Sequence, residues 1–332
     1  MAYKVLIIGC GAIAGGYDAE RSPDDWPLSH AGAIARDERF ELVACVDPVI
    51  GTRKRFAERW NASVAEASLE GLSAKPGDFD LIVIASPTQH HAEHLEWALT
   101  MEPRAVFCEK PLAENAQSAR KLALDYQTAK TPLAVNFTRR WAPDLNRLVE
   151  EIENEDWGEL IGAVGTYTKG AVHNGSHMVD LMEMFVGPVR LHSAGPALLD
   201  CWDDDPSVSA ILTANDMGQP LHLVSGDAQA VTQFELVLNY DLGEIAMRDG
   251  GMRIEIRRVE ENPHFKGYRQ LGAPESIPGR YSEAMTLAYE NLAKVIARKA
   301  YPKVSGSSAA ETQAICEEIR AAGLQYLRKY QE

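Results

Sequence analysis

Three short segments of this chain carry residue types able to move a proton or hold a phosphate. Glu109-Lys110-Pro111 follows the apolar run Ala105-Val106-Phe107-Cys108. An ammonium ordinarily gives up its proton near about pH 10.4, and desolvation or a nearby cation brings that into a working range. Lys110 can then exchange a proton with a substrate hydroxyl or hold that hydroxyl in place. Asn174-Gly175-Ser176-His177-Met178-Val179-Asp180 opens a helix-compatible run in which His177 and Asp180, three apart, share a face extended by Leu181 and Met184. An imidazole beside a carboxylate acts as a general base or orients a hydroxyl. In isolation Glu-Lys-Pro reads as a solvated turn and a single His as a packed core residue. The third segment, Gly9-Cys10-Gly11-Ala12-Ile13-Ala14, follows the strand-like Val5-Leu6-Ile7-Ile8. This is the G-x-G-x-x-G/A turn in its proper setting, after a strand and before a helix-compatible run. Gly9 permits the tight turn, Gly11 lets a pyrophosphate approach the backbone, and Ala14 allows close packing. The helix expected next would present its N–H groups to the phosphates.

The elements that must position these groups alternate. Phe40 to Val46, Leu81 to Ala85, Ala105 to Cys108 and Leu133 to Phe137 read as strands, and residues 52–60, 90–100 and 115–129 as helices. That alternation requires a parallel sheet, and ligands bind beyond the carboxyl ends of its strands. Asp47 closes the second strand, where a carboxylate accepts from both ribose hydroxyls of an adenosine and repels a 2′-phosphate. NAD is therefore expected rather than NADP, although Arg53 and Lys54 follow closely. An Asp at a strand end also caps a following helix. Asp47 lies further past the glycines than the usual spacing of about 20 residues. Residues 16–29 account for the excess as an insertion, read as a surface loop or as a flap carrying Trp26 over the ligand. His90, His91 and His94 are expected to pack or to edge the cofactor site.

Beyond about residue 140 the pattern becomes partial alternation at Val164 to Tyr167, Val208 to Thr213, Leu221 to Ser225, Thr232 to Tyr240 and Arg253 to Val259. Hairpin turns are expected at Asp241-Leu242-Gly243 and Asp249-Gly250-Gly251, and helices near 281–299 and 308–330. The fold class expected is α/β: a doubly wound parallel sheet over residues 1–138, then an α/β domain over 139–332 with a large open mixed or antiparallel sheet.

The 332 residues suffice for two domains and, at 45% hydrophobic, for a sizeable core. The net charge of −15 argues against nucleic acid or an anionic membrane as partner. Cys10, Cys45, Cys108, Cys201 and Cys316 are scattered without C-x-x-C spacing, which favours free thiols in a reducing cytoplasm over disulfides or zinc. No H-E-x-x-H or similar ligand pair is present, so no metal is expected. Ile7-Ile8-Gly9-Cys10 looks like a lipoprotein cleavage box, but the residues before it are too few and too polar for a signal peptide, and no stretch suffices to span a bilayer.

Together the motifs resemble the Gfo/Idh/MocA oxidoreductases, the glucose–fructose oxidoreductase and inositol dehydrogenase group. The matching stretches are G-C-G-A-I-A at 9–14, V-D-P at 46–48, A-S-P-T-Q-H-H at 85–91, C-E-K-P-L at 108–112, N-F-T-R-R-W-A-P at 136–143 and N-G-S-H-M-V-D-L at 174–181. The resemblance implies a Rossmann domain binding NAD through Gly9, Gly11, Ala12, Ile13, Asp47, Ser86, Pro87, Thr88, His91, Glu109 and Lys110. It implies that Lys110 and His177 face nicotinamide and substrate, with Asp180, Arg140, His173 and Asn174 near the substrate. It also implies a homodimer or homotetramer. Inositol-dehydrogenase-like members carry an Asp four residues before the catalytic His, where this chain has His173. Asn174 is similar instead to members acting on nucleotide-linked sugars at the 3-hydroxyl. The expected activity is NAD-dependent hydride transfer at a secondary alcohol of a sugar or sugar derivative, nucleotide-linked or not. Lys110 is expected to exchange the proton and His177 to orient the hydroxyl, or the reverse. A lyase or isomerase holding its NAD tightly and a cofactor-binding sensor are the other readings. Arg139, Arg140 and Lys169 offer the cations for an anionic substrate group.

Overall fold

The computed structural model describes residues 2–214 and 218–330. Backbone contacts divide them into two compact units, 1–141 with 282–313, and 142–281 with 314–332. The division expected at 138/139 is thus interrupted, because residues 282–313 cluster with the first unit and not with the second.

The first unit is built on six strands, β1 (Tyr3–Ile8), β2 (Phe40–Val46), β3 (Val64–Glu66), β4 (Leu81–Ile84), β5 (Ala105–Cys108) and β6 (Leu133–Val135). They are all parallel, in the order β3-β2-β1-β4-β5-β6. The order reverses at β1, which opens a crevice between the carboxyl ends of β1 and β4. Strands covered on both faces must be apolar without alternation, and Val5 to Ile8, Leu81 to Ile84 and Ala105 to Cys108 are all buried. The helices of this unit are α1 (His30–Ile34), α2 (Ile50–Trp60), α3 (His91–Thr100), α4 (Ala116–Ala129) and, from the far end of the sequence, α7 (Ala284–Ile296).

The helix expected directly after the glycine turn does not form. Residues 12–15 make a wide hydrogen-bonded turn, with the amides of Gly15 and Gly16 both donating to Gly11 O, followed by a 3₁₀ turn at Gly16–Asp18. Pro23, Pro27 and the acids of the insertion do not support a regular helix. The chain becomes helical only at α1, which Ser29 caps by accepting from the Gly32 amide. The insertion is not a loose loop. Asp18, buried, accepts from the amides of Leu28 (3.0 Å) and Ser29 (2.8 Å) and from Ser29 Oγ (2.5 Å). Arg36 of the following segment donates to the carbonyls of Ser22, Pro23 and Gly32.

The second unit holds α5 (Pro143–Glu153), β7 (Leu160–Tyr167), α6 (Gly175–Val186), β8 (Val189–Trp202), β9 (Asp205–Ala214), β10 (Pro220–Ser225), β11 (Phe234–Tyr240), β12 (Gly243–Arg248), β13 (Arg253–Glu261), β14 (Arg269–Leu271) and β15 (Glu275–Pro278). The last helix, α8 (Gly306–Tyr330), has residues in both units. The nine strands form one sheet in the order β14-β13-β12-β11-β7-β10-β9-β8, with β15 beside β13. The sheet is mixed, since β10 runs parallel to β7 and every other pair is antiparallel. The expected hairpin at Asp241-Leu242 joins β11 to β12. The 14-residue β8 was not legible, because Ser193, Gly195, Pro196 and three bulge-like register shifts break its alternation. One face of β7 packs with Leu145, Leu148, Met178, Leu181 and Met182 in a common core. The other face carries Ile161 and Val164, exposed.

Candidate functional site

In the first unit the candidate residues follow the carboxyl ends of successive parallel strands. Gly9 to Ile13 follow β1, Asp47 follows β2, Ser86 to Thr88 follow β4, Glu109 and Lys110 follow β5, and Asn136 follows β6. The two glycines of the turn serve different ends. Gly9 has φ +90°, and a Cβ there would lie 2.6 Å from Ser86 N and 2.7 Å from Ala85 O, so the protein itself requires glycine. Gly11 has no left-handed φ, and a Cβ there would meet nothing within 4 Å. No protein contact explains its missing side chain, whereas a ligand backed against the chain would. The amides of Gly11, Ala12 and Ile13 donate to no backbone carbonyl among the described residues. The cradle therefore fits a dinucleotide pyrophosphate, although its donors lie on a turn and not on the helix N-terminus that the sequence suggested.

Asp47 holds the rim of this cradle. Its Oδ2 accepts from Cys10 N at 2.9 Å and its Oδ1 from Val49 N at 2.8 Å, just ahead of α2. The carboxylate thus fixes the turn before that helix and is tied to the glycine turn at once, with lone pairs left on both oxygens for ribose hydroxyls. Arg53 donates to the Asp47 carbonyl (2.5 Å), which keeps that cation beside the same rim.

His91 takes the first of the two places expected for it and packs. It is 1% exposed, with Nδ1 2.8 Å from Pro111 O and Nε2 2.8 Å from Ser86 O. Its ring ties the Ser86-Pro87 turn to the Glu109-Lys110-Pro111 turn and so braces the site. Burial pulls its pKa down, while the two carbonyl acceptors favour the proton. His94, hydrogen-bonded to Ser86 Oγ at 2.8 Å, is brought down to about 4 by burial and by His90 and His91. His90 is exposed and stacks on His94.

Glu109 is engaged through one oxygen. Its Oε1 accepts from Asn136 Nδ2 (2.6 Å) and from His30 Nε2 (2.9 Å), and His30 Nδ1 lies 3.1 Å from Tyr289 OH. Burial presses the carboxyl upward, but the bonds from His30 and Asn136 and the charge of Lys110 outweigh it and leave Glu109 below the usual range. His30 and Tyr289 were missed by the sequence reading. Nothing local marks them, since they lie 79 and 180 residues away from Glu109 on either side and meet it only in the fold. Arg139 and Arg140 sit on the 3₁₀ turn Thr138–Trp141 that follows β6.

In the second unit His177 and Asp180 lie on α6 as expected, His177 half-buried and Asp180 2% exposed. Met178, Leu181 and Met182 anchor that helix in the core. His173 and Asn174 precede it on a π-helical turn, Gly170–Asn174. Such turns recur at functional sites. Side chains of the β8–β9 hairpin hold this turn in place. Asp200 accepts from Lys169 N (2.6 Å), Ser207 Oγ from Gly170 N (2.9 Å), and Asp205 from the amides of Val172 (2.9 Å) and His173 (2.8 Å). A Cβ at Gly170 would strike Asp205 Oδ2, so this glycine is required by the clamp. Burial raises the Asp205 pKa and the two amides only partly offset it. The Trp202 ring packs against His173 with centroids 4.3 Å apart and ring planes tilted by 42°. None of these hairpin residues was legible as part of the site. Among the described residues no group of three His, Cys, Asp or Glu could hold a metal ion, and no helix is long and apolar enough to cross a membrane.

Comparison with known proteins agrees with the first unit. Residues 3–137 match the family model GFO_IDH_MocA, an oxidoreductase family with an NAD-binding Rossmann fold, so the resemblance read from the motifs holds over that domain. The chain is 28% identical over 194 residues to D-glucoside 3-dehydrogenase of Escherichia coli (strain K12), covering 54% of this chain and 50% of that protein. It is 28% identical over 131 residues to inositol 2-dehydrogenase of Rhizobium meliloti (strain 1021), covering 40% and 38%. The chain thus spans half or less of the length of these relatives. Over its whole length it shares its fold with a 3-ketoreductase from Actinomadura kijaniata solved with NADP and TDP-benzene, at TM-score 0.75, 17% identity and coverage of 97% and 98%.

Proposed function

We propose, from the match of residues 3–137 to the Gfo/Idh/MocA oxidoreductase family model, that this chain is a nicotinamide-dependent dehydrogenase or reductase acting on a secondary alcohol of a sugar or nucleotide-linked sugar, with the 3-position favoured. One observation carries it: the glycine cradle open above Gly11, the Asp47 rim and Glu109-Lys110 line one carboxyl edge of one parallel sheet. The 3-position is supported by Asn174 and by the names of two similar proteins, a glucoside 3-dehydrogenase and a 3-ketoreductase.

The residues present fit a dinucleotide. The amides of Gly11 to Ile13 would take the pyrophosphate and Asp47 the adenosine ribose, which favours NAD over NADP. When bound, the nicotinamide supplies the hydride acceptor or donor. The chain supplies position and proton handling. Lys110 takes the hydroxyl proton at Nζ, and His177, with Asp180 on the same helical face, orients that hydroxyl.

The test is calorimetric titration with NAD and NADP, then turnover followed by nicotinamide absorbance with methyl glucosides, myo-inositol and UDP-N-acetylglucosaminuronate. Lys110→Met is expected to lower kcat by about 10²–10⁴-fold with cofactor affinity retained. His177→Ala is expected to raise KM and lower kcat together. Absence of cofactor binding overturns the reading, as does near-normal turnover by Lys110→Met.

A further inference from the structure

The insertion at 16–29 ends by delivering His30 into the interior, and that residue has no role in the reading above. Asp18 gathers the amides of Leu28 and Ser29 together with Ser29 Oγ, Ser29 then caps α1, and His30 is the first residue of that helix. Its ring is fully buried, edge-on to Phe107 of β5. A carboxylate only accepts, so Nε2 must carry the proton that it shares with Glu109. Nδ1 is matched to Tyr289 OH, itself buried on α7. Both ring nitrogens are therefore committed, and both commitments come from elements distant in sequence.

We propose that His30 is a positioning residue of the active site, that with Tyr289 it holds Glu109 as an ionised acceptor in one placement beside Lys110, and that the insertion serves to seat it. The inference rests on the proposed role of Lys110 as the proton-exchanging group. Glu109 Oε1 takes the bonds from His30 and Asn136, and Oε2 has no partner among the described residues. The internal bonds thus fix the carboxylate without using up its outer oxygen. Without the His30 donor, burial would dominate, Glu109 would take up a proton at a higher pH, and Lys110 would lose the fixed negative charge beside it.

The titratable and charged groups that face Glu109 are His30 of α1, His91 of α3, Tyr289 of α7, and Cys108 and Lys110 of its own segment. Cys108 and Tyr289 are raised by burial and stay neutral through the physiological range. His91 is lowered by burial. A change in the acid limb on removing His30 is therefore assigned to Glu109 by repeating the measurement in Glu109→Gln.

The test uses His30→Leu, His30→Gln and Tyr289→Phe in the full chain. The carboxylate band of Glu109 is followed by infrared difference spectroscopy against Glu109→Gln in cofactor-free protein, and kcat/KM is followed against pH. His30→Leu is expected to raise the Glu109 midpoint and the acid limb by about one pH unit or more, the size of one lost charge-assisted bond. His30→Gln, whose amide still donates, is expected to stay close to the parent chain. Tyr289→Phe is expected to shift both readouts in the same direction by less. If His30→Leu does not fold, Tyr289→Phe decides, and a midpoint and profile identical to the parent's overturn the inference. Turnover by the parent with an unmoved midpoint in His30→Leu sinks this inference alone. Absence of turnover and of cofactor binding in the parent overturns the proposed function, and this inference with it.

Discussion

Alanine at Gly11 separates a glycine kept for a ligand from one kept for the fold. At Gly11 the backbone does not need a positive φ and the new methyl meets no atom within 4 Å. The variant is expected to be as stable as the parent, or more so by about 0.4–1 kcal/mol, because alanine restricts the unfolded chain. The cofactor should feel the methyl directly. A methyl under the pyrophosphate forces it away from the turn, and one charge-assisted bond of about 1.5–3 kcal/mol is lost, equal to about 10- to 150-fold in Kd. Alanine at Gly9 should behave in the opposite way. There φ is +90° and the new Cβ would lie 2.6–2.7 Å from backbone atoms of Ala85 and Ser86, which cannot swing aside. A left-handed alanine costs about 1–2 kcal/mol and overpacking another 1–3, for roughly 2–5 kcal/mol in all. In a unit of this size that is a fall in Tm of roughly 5–15 °C. The assays are differential scanning calorimetry and isothermal titration with NAD. An unchanged Kd in Gly11→Ala would refute the assignment of the open space to the pyrophosphate. A large loss of stability in the same variant would refute the geometric argument behind it.

Replacing Asp47 with Ser removes the negative rim and should move the ratio of NAD to NADP affinity toward NADP by about tenfold or more, measured by competitive titration; an unchanged ratio removes Asp47 from the ribose. Asp205→Ala strips the acceptor from the Val172 and His173 amides. About 2–4 kcal/mol should be lost in urea denaturation, with a raised KM for the sugar and cofactor affinity intact. His94 is held neutral down to about pH 4 from the usual 6.5. Between these values the unfolded chain binds a proton that the folded chain refuses, so stability rises with pH across the window and is lost on acidification. The loss is at most about 3 kcal/mol, and His94→Gln should flatten that part of the stability profile in denaturant titrations at several pH values.

The sequence by itself determined five of the six strands of the first unit's sheet, all but β3, and its chemistry-bearing edge. Strands buried on both faces must be written as unbroken apolar runs, and a turn that admits a phosphate must be written in glycine, so Val5 to Ile8 with Gly9 and Gly11, Asp47 after β2, and Glu109-Lys110 after β5 were all legible in linear order. The His177–Asp180 spacing was legible for the same reason, since the period of a helix is local. Tertiary structure alone decided what fixes those groups. The helix expected after the glycines gave way to a strap because buried Asp18 binds amides ten and eleven residues on, a closure that no periodicity records. Which turns His91 joins was set by the two carbonyls, of Ser86 and Pro111, that its ring nitrogens meet. His30 and Tyr289 meet Glu109, and Asp200 and Asp205 clamp the turn before His177, through hydrogen bonds between residues far apart in sequence. Partners of that kind are chosen by the packing of layers, and their identities carry no spacing that a reader of the chain alone could detect.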